Sequence, residues 1–159
     1  MLRVLMRSPE QIVDEFFPTA PADVVAEWLL PLAKRLGHPS LNPDRWFKNL
    51  RQPLQRWASA TWLHGSVGLM GFDLETQIKV LQVLEPFRNP TLPEFTDANR
   101  SRVASAVAYI TAHGRMPGLP VVVHAPPSRP ILVDGHHRWA ARVHVHGQHG
   151  VADCHIAKF

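Results

Sequence analysis

The most constraining feature of this sequence is a change of pattern after Gly114. Before that residue, apolar side chains recur at the spacing of α-helices. After it come two short runs rich in β-branched residues, Leu119 to Val123 and Ile131 to Val133, which are typical of strands. The segment from His136 to Val145 then has a helical pattern, and Val151 to Ala157 predicts a last strand. The sequence therefore predicts an α+β fold, in which a small mixed sheet with helices follows a helical N-terminal region.

Capping residues mark where several of the helices should begin. Ser8 precedes Pro9 and Gln11, an arrangement in which serine caps the helix, proline fills its first position and glutamine completes a capping box. Asp73 and Asp97 are further candidate caps. We expect helices from Ser8 to Phe17, from Pro21 to Leu36 with a kink at Pro31, from Asn42 to Leu50, from Pro53 through Trp62, from Asp73 to about Pro86 and from Ala98 to Ala112, with a connector between Phe87 and Phe95.

Length and composition limit the class of protein. The 159 residues suit one domain with a small appendage, and we expect a helical region over residues 1–90, packed on the same core as a second part over residues 91–159. The longest uncharged run, Trp57 to Phe72, is interrupted by glycines, so no membrane span is expected. No secretory signal is expected either, and the single Cys154 excludes an intramolecular disulfide. These features predict a cytoplasmic protein.

Basic residues outnumber acidic ones, with 17 Lys and Arg against 13 Asp and Glu. Most of the basic residues are arginines, whose planar guanidinium suits phosphate groups. The sequence pI of 9.8 favours an anionic partner such as a nucleotide or a nucleic acid. A net charge of +4 is also ordinary for a domain without such a partner, so charge alone leaves both interpretations open.

The segment from Pro130 to Ala141 carries the most information about function. It predicts a buried strand that passes through Asp134 and Gly135 directly into a helix, so that unpaired backbone N–H groups lie at the helix start. Glycine lets a phosphate approach the backbone, and Arg138 supplies a charge with two parallel donors. The pattern therefore indicates an anion site. The alternative is an ordinary turn in which Asp134 caps the helix and the histidines are solvated.

From about residue 97 to the end, the chain resembles the ParB/sulfiredoxin superfamily. The resemblance rests on the order helix, strand, hairpin, strand, glycine turn, helix, strand, and on a Gly-x-x-Arg-x-x-Ala core formed by Gly135, Arg138 and Ala141. Members of this superfamily bind ATP or CTP with the phosphates against the glycine turn. The resemblance therefore implies a nucleotide-binding part over residues 91–159.

The resemblance also implies roles for the residues of the turn. Gly135, His137 and Arg138 fall on the phosphate site, where His137 would orient a phosphate. His136 stands where sulfiredoxin has its catalytic cysteine. The resemblance thus points to nucleotide binding rather than to sulfur chemistry.

Two residues of the preceding helix complete the expected nucleotide site. Arg102 and Ser105 stand three positions apart, like the basic residue and the hydroxyl that lie near the phosphates in the family. Arg102 and Arg138 would stabilise phosphoryl charge. Asp134 would hold a Mg²⁺ ion together with the phosphates, and Asp134 or His136 would act as the base.

The string Asp-Gly-His-His-Arg is similar to a ParB-like branch of nucleases and to a branch of small-molecule kinases with the same fold. Small members with an added helical part include plasmid-borne fertility inhibitors, which block the transfer of other conjugating DNA. We therefore expect an ATPase, a DNase or both, acting on DNA, with a protein of the conjugation machinery as a further partner. The alternatives are a non-enzymatic DNA- or protein-binding adaptor and a small-molecule kinase.

Three other patterns have competing interpretations. Eight of the ten histidines lie in the last third of the chain, which would suit zinc, but His144 and His146 also fit a helix C-terminus without a metal. Basic and aromatic residues alternate from Arg45 to Trp62, which predicts either a nucleic-acid surface or a helical core. Cys154, in a predicted strand, is expected to be buried and inert.

Overall fold

The computed structural model describes residues 6–89, 91 and 97–159. These residues form two compact units. One holds the described residues up to Leu63 together with Ala157–Phe159, and the other holds the described residues of His64–Ile156. Within the described residues, no helix has both the length and the apolar character needed to cross a membrane. The predictions for residues 1–5 and for most of the connector before Asp97 fall outside the described residues.

The first unit contains short helices. Helix α1 (Pro9–Phe16) begins at the predicted capping box, in which the Gln11 N–H donates to the Ser8 side chain and the Ser8 N–H donates to the Gln11 side chain, at 3.1 and 2.9 Å. This start is confirmed. The helical elements that follow are α2 (Ala22–Val24), a π-helical turn (Val25–Leu29), α3 (Leu30–Leu36), α4 (Pro43–Leu50) and α5 (Leu54–Trp57).

The helical stretch over residues 22–36 is irregular just before Pro31. There the Leu30 N–H bonds the carbonyl of Val25, five residues back, and so closes a π-helical turn. Proline has no N–H to donate, so its neighbourhood is a usual place for such an irregularity. The kink expected at Pro31 stays a prediction, since the π-helical turn precedes this residue. The stretch ends at Gly37 as expected, with a φ of +70°.

The tryptophans of this unit belong to its core. Trp46 and Trp57 are 1% and 0% exposed, and the Trp57 ring packs against Phe17 at 5.6 Å and Trp28 at 5.9 Å between ring centroids. The core interpretation of the basic and aromatic segment is therefore confirmed for Trp46 and Trp57. Phe47 differs from them, since 54% of it is exposed.

The sheet and the remaining helices follow. In chain order they are β1 (Thr61–Val67), α6 (Leu74–Arg88), α7 (Asp97–His113), β2 (Val121–His124), β3 (Ile131–Asp134), α8 (His136–His146) and β4 (Ala152–Lys158). The strands lie in the order β1-β4-β2-β3. Strands β2 and β3 form an antiparallel hairpin with Val122 opposite Leu132. The predicted α+β class is confirmed, and β2, β3, α8 and β4 lie within two residues of their expected bounds.

The prediction of a helix from Pro53 through Trp62 is wrong beyond Trp57. The chain turns there, with the N–H of Ala60 bonded to the Trp57 carbonyl, and it continues as the edge strand β1. Most β1 side chains are exposed. The sequence therefore lacks the apolar alternation that would indicate a strand.

Helix α6 begins where the sequence predicts. The Asp73 side chain caps it by accepting from the Thr76 N–H at 3.0 Å. The helix continues two residues past Pro86, because a proline in the last turn removes only one of the helical hydrogen bonds. Asp97 is itself helical and lies within the described part of α7, so it does not cap the helix as expected.

The two compact units divide at residue 63, whereas the sequence predicts a division near residue 90. The difference arises from α6. Its Val80 and Leu84 belong to the same buried cluster as Val103 of α7 and Trp139 of α8. Helix α6 therefore supports the helices that carry the predicted site.

Candidate functional site

A glycine joins β3 to α8 at the centre of the predicted phosphate site. Gly135 has a φ of +106°, which residues with a side chain rarely adopt. A Cβ here would lie 3.0 Å from Pro120 Cβ and 3.1 Å from Arg138 Nη2. Gly135 also has no side chain to cap α8, so the first N–H groups of the helix remain donors for an anion. The turn therefore requires glycine for both its conformation and its space.

Arg138 is held by two other segments of the chain. Its Nη2 donates to Asp134 Oδ2 at 3.0 Å, and its Nη1 donates to the Pro117 carbonyl at 3.1 Å. Only 17% of the side chain is exposed. A guanidinium carries five N–H donors, so these two bonds fix its plane and leave donors for a ligand oxygen. The arrangement preorganises Arg138 for an anion.

His137 is positioned by α7. Its Nε2 donates to Asn99 Oδ1 at 3.1 Å. Burial lowers the pKa of His137, and the Arg102 guanidinium lowers it further. The imidazole is therefore mainly neutral at pH 7. The positive charge at this place comes from the arginines and not from the histidine.

His136 is neutral as well. Burial lowers its pKa to about 4, with smaller contributions from the charges of Lys79 and His137. A base works best when its pKa lies near the operating pH, so an imidazole with this pKa takes up a proton poorly at pH 7. The structure therefore makes His136 a weak candidate for the expected catalytic base.

We expect the low pKa of His136 to make the protein sensitive to acid. The pKa is 6.5 in the unfolded chain and about 4 in the folded one, so protonation favours the unfolded state as the pH falls from 6.5 towards 4. Between pH 7 and pH 5, this group lowers the free energy of unfolding by about 2 kcal/mol. Urea unfolding at both pH values measures how much stability the protein loses between pH 7 and pH 5. This loss should be smaller in His136→Asn than in the wild type by about 2 kcal/mol.

The control for this comparison is His149→Asn, which replaces an exposed histidine of the same unit. Its loss between pH 7 and pH 5 should equal that of the wild type. An equal loss in His136→Asn would contradict the lowered pKa.

Four of the predicted residues line one cleft of about 520 Å³, which we call the site cleft. They are Arg102 and Ser105 of α7, and His137 and Arg138 of α8. The cleft is completed by Ser101, Ala106, Tyr109 and Pro117. The other predicted residues, Asp134, Gly135 and His136, directly precede His137 in the sequence. Asp134 accepts a hydrogen bond from Arg138, and Gly135 lies close to the Arg138 guanidinium.

Sequence reasoning missed Asn99 and the lining residues Ser101, Ala106, Tyr109 and Pro117. Asn99 and Tyr109 lie three residues before and seven residues after Arg102, so the helical period places all three on one face of α7. That spacing could have indicated them. Pro117 acts through its backbone carbonyl, and a carbonyl leaves no signal in the residue types.

The side chains present fit a protein-held metal ion poorly. Asp134, the expected Mg²⁺ ligand, is paired with Arg138 at 3.0 Å. Within the part of the chain that the structure describes, no group of three or more His, Cys, Asp and Glu side chains could hold a metal ion. The same result, within the described residues, argues against zinc as the reason for the many histidines in the last third of the chain. No step of the chemistry is therefore assigned to a metal held by this chain.

A second cavity, of about 590 Å³, lies in the same unit. Its charged lining residues are Arg115, Arg142 and Asp153. Arg142 donates to the Val151 carbonyl at 2.7 Å, and Asp153 accepts from the Ser66 hydroxyl at 3.0 Å. The described lining of this cavity includes none of the predicted site residues.

Cys154 of β4 is fully buried. Burial raises the pKa of its thiol to about 12, and Asp153 adds to the effect. The thiol therefore stays protonated near neutral pH, where the thiolate would be the reactive form. This agrees with the expectation of an inert cysteine.

Comparisons with protein-family models, with curated proteins and with solved structures found no match to this chain. Inference about the site therefore rests on the contacts of its own residues.

Proposed function

We propose that the unit formed by the described residues of His64–Ile156 binds a nucleoside triphosphate, ATP or CTP, in the site cleft. One observation carries the proposal: Arg102, Ser105, His137 and Arg138, which come from two separate helices, line a single cleft next to the glycine turn. The ParB-like pattern of the sequence assigns these same four residues to nucleotide phosphates. Because these four residues also line one cleft in the structure, the cleft supports a nucleotide as the ligand.

The charges around the cleft support an anionic ligand. Arg102 and Arg138 supply the positive charge, since His137 is mainly neutral at pH 7. The first N–H groups of α8 add donors and the positive end of the helix dipole. Ser105 adds a hydroxyl. A triphosphate would thus meet charged, backbone and hydroxyl donors together.

The reaction that suits these groups is attack of water on a phosphorus atom. In nucleotide hydrolysis, the bond between the terminal phosphorus and its bridging oxygen breaks and inorganic phosphate leaves. In DNA cleavage, a phosphodiester bond breaks in the same way. Arg102 and Arg138 would stabilise the charge that develops on the phosphoryl oxygens. Asp134 would take the proton of the attacking water, and His136 is the weaker candidate because of its lowered pKa.

A second candidate is a nucleotide-binding adaptor without catalysis. It is favoured by the state of the two candidate bases, because Asp134 is paired with Arg138 and the pKa of His136 is about 4. In either case the basic composition supports DNA as a partner. A role in the inhibition of conjugative transfer, through DNA or a protein of the conjugation machinery, is part of the same proposal. Mg²⁺ would arrive on the nucleotide phosphates.

The test begins with calorimetric titration of the wild type with ATP and with CTP, with and without Mg²⁺. We expect binding of at least one nucleotide. Absence of binding to both would overturn the proposed function.

One double variant distinguishes the enzyme from the adaptor. Asp134→Asn combined with His136→Ala should abolish phosphate release and DNA cleavage, because both candidate bases are lost, while DNA is still shifted in a gel at low salt. A matched control combines Asp44→Asn with His149→Ala, which changes an exposed aspartate and an exposed histidine. Cleavage that persists in the first variant would contradict the assigned bases. Nucleotide or DNA binding with neither phosphate release nor DNA cleavage in the wild type, under any metal, would establish the adaptor.

A further inference from the structure

We propose that Tyr109 and His113 form an aromatic platform on which the nucleobase stacks. This rests on the proposed function, since the platform adds a base subsite to the phosphate subsite of the same cleft. Tyr109 lines the site cleft. It is not part of the glycine-turn pattern, and nothing in the proposed chemistry uses it.

The platform is already assembled. The rings of Tyr109 and His113 are stacked, with centroids 4.1 Å apart and an angle of 21° between their planes. The Nδ1 of His113 donates to the Tyr109 carbonyl at 3.0 Å, which fixes the imidazole against the tyrosine. Tyr109 is half-buried and His113 is exposed. A ring that is already held loses little conformational freedom when a base stacks on it.

The position of Tyr109 along α7 matches the length of a nucleotide. Arg102, Ser105 and Tyr109 share one face of the helix. With 1.5 Å per residue, Tyr109 lies about 10 Å along the axis from Arg102. Arg102 thus stands at one end of this helix face and an aromatic ring at the other. A nucleoside triphosphate has the same polarity, with phosphates at one end and a flat apolar base at the other.

The wall between these ends is less polar. Ala106 lies between Arg102 and Tyr109 in α7 and lines the cleft as well, so this part of the wall offers apolar contact where a sugar would lie. Every nucleobase has a π face that can stack on an aromatic ring. The platform should therefore strengthen the binding of any nucleotide while adding nothing for a ligand without a base.

Tyr109 is the single tyrosine of the chain, which allows a direct test. Protein made with 3-fluorotyrosine carries one fluorine label, and its ¹⁹F NMR spectrum should show one resonance from the cleft. Titration with ATP or CTP should shift this resonance through the ring current of the base. Inorganic triphosphate, which has no base, should leave it nearly unshifted at saturation.

Affinity measurements provide the second readout. Tyr109→Ala should weaken ATP or CTP binding by about 5- to 150-fold, the range of one aromatic stacking contact, and should leave the affinity for inorganic triphosphate unchanged. Tyr109→Phe keeps the ring and should bind nucleotides like the wild type. Unchanged triphosphate affinity also serves as the check that Tyr109→Ala is folded.

The outcomes separate the platform from the phosphate site. If the wild type binds triphosphate but gains nothing from a base, or if saturating nucleotide leaves the fluorine resonance unshifted, the platform is overturned and the phosphate site stands. An equal loss for nucleotide and triphosphate in Tyr109→Ala overturns it as well. If the wild type binds none of the three ligands, the proposed function fails together with the platform.

Discussion

Arg138→Ala should weaken the binding of ATP or CTP by about 10- to 150-fold, or about 1.5–3 kcal/mol, the range for hydrogen bonds to a charged group. The guanidinium is already held by Asp134 and Pro117, so the wild type does not have to order it on binding. Removal of the side chain takes away both the charge and this preorganisation. Calorimetric titration of both proteins measures the difference.

The matched control is Arg142→Ala, one turn further along α8. Arg142 is half-buried and lies over the Trp139 ring, but it lines the second cavity and not the site cleft. Its loss should leave nucleotide affinity nearly unchanged. Equal weakening in the two variants would show that general damage to α8 explains the effect. If Arg138→Ala bound nucleotide with full affinity, the assignment of the phosphate site to this turn would be wrong.

Trp57→Ala should lower the free energy of unfolding by about 3–5 kcal/mol, the range for truncation of a large buried aromatic residue. The indole is completely buried. Its ring contacts Phe17, Trp28 and, at 4.9 Å between centroids, Phe159. Chemical unfolding followed by circular dichroism measures the change.

Phe47→Ala is the matched control for Trp57→Ala, since it removes an aromatic ring of the same segment that is 54% exposed. We expect a loss below about 1 kcal/mol. This pair also distinguishes the two interpretations of the basic and aromatic segment. A Trp57→Ala protein of normal stability with weakened DNA binding would contradict the core role of this residue.

The elements after Gly114 could be predicted because short-range chemistry marks their ends. Pro120 and Pro130 directly precede β2 and β3, Gly135 follows β3, and Gly147 closes α8. Strand β1 could not be predicted, since it is an edge strand with mostly exposed side chains. Its place in the sheet depends on pairing with a distant part of the chain. Local patterns do not contain that information.

The candidate site, too, was predictable where it depends on neighbouring residues and unpredictable where it depends on distant ones. Gly135, His137 and Arg138 are contiguous in sequence, so a short string was enough to single them out. The electrostatic state of the site was not predictable in this way. The pKa of His136 depends first on burial and then on Lys79, which lies more than fifty residues earlier. A histidine that looks like a base in the sequence is therefore a poor one in the fold.

The two hydrogen bonds of Arg138 have a consequence for the segment between α7 and β2. Through the Pro117 carbonyl, this side chain ties residues 114–120 to the same guanidinium that would bind a phosphate. Ligand affinity and the local order of that segment are then linked thermodynamically, and each strengthens the other by the same factor. Slower amide hydrogen exchange across residues 114–120 would accompany an occupied cleft. The backbone of this segment can thus report occupancy without any label on the ligand.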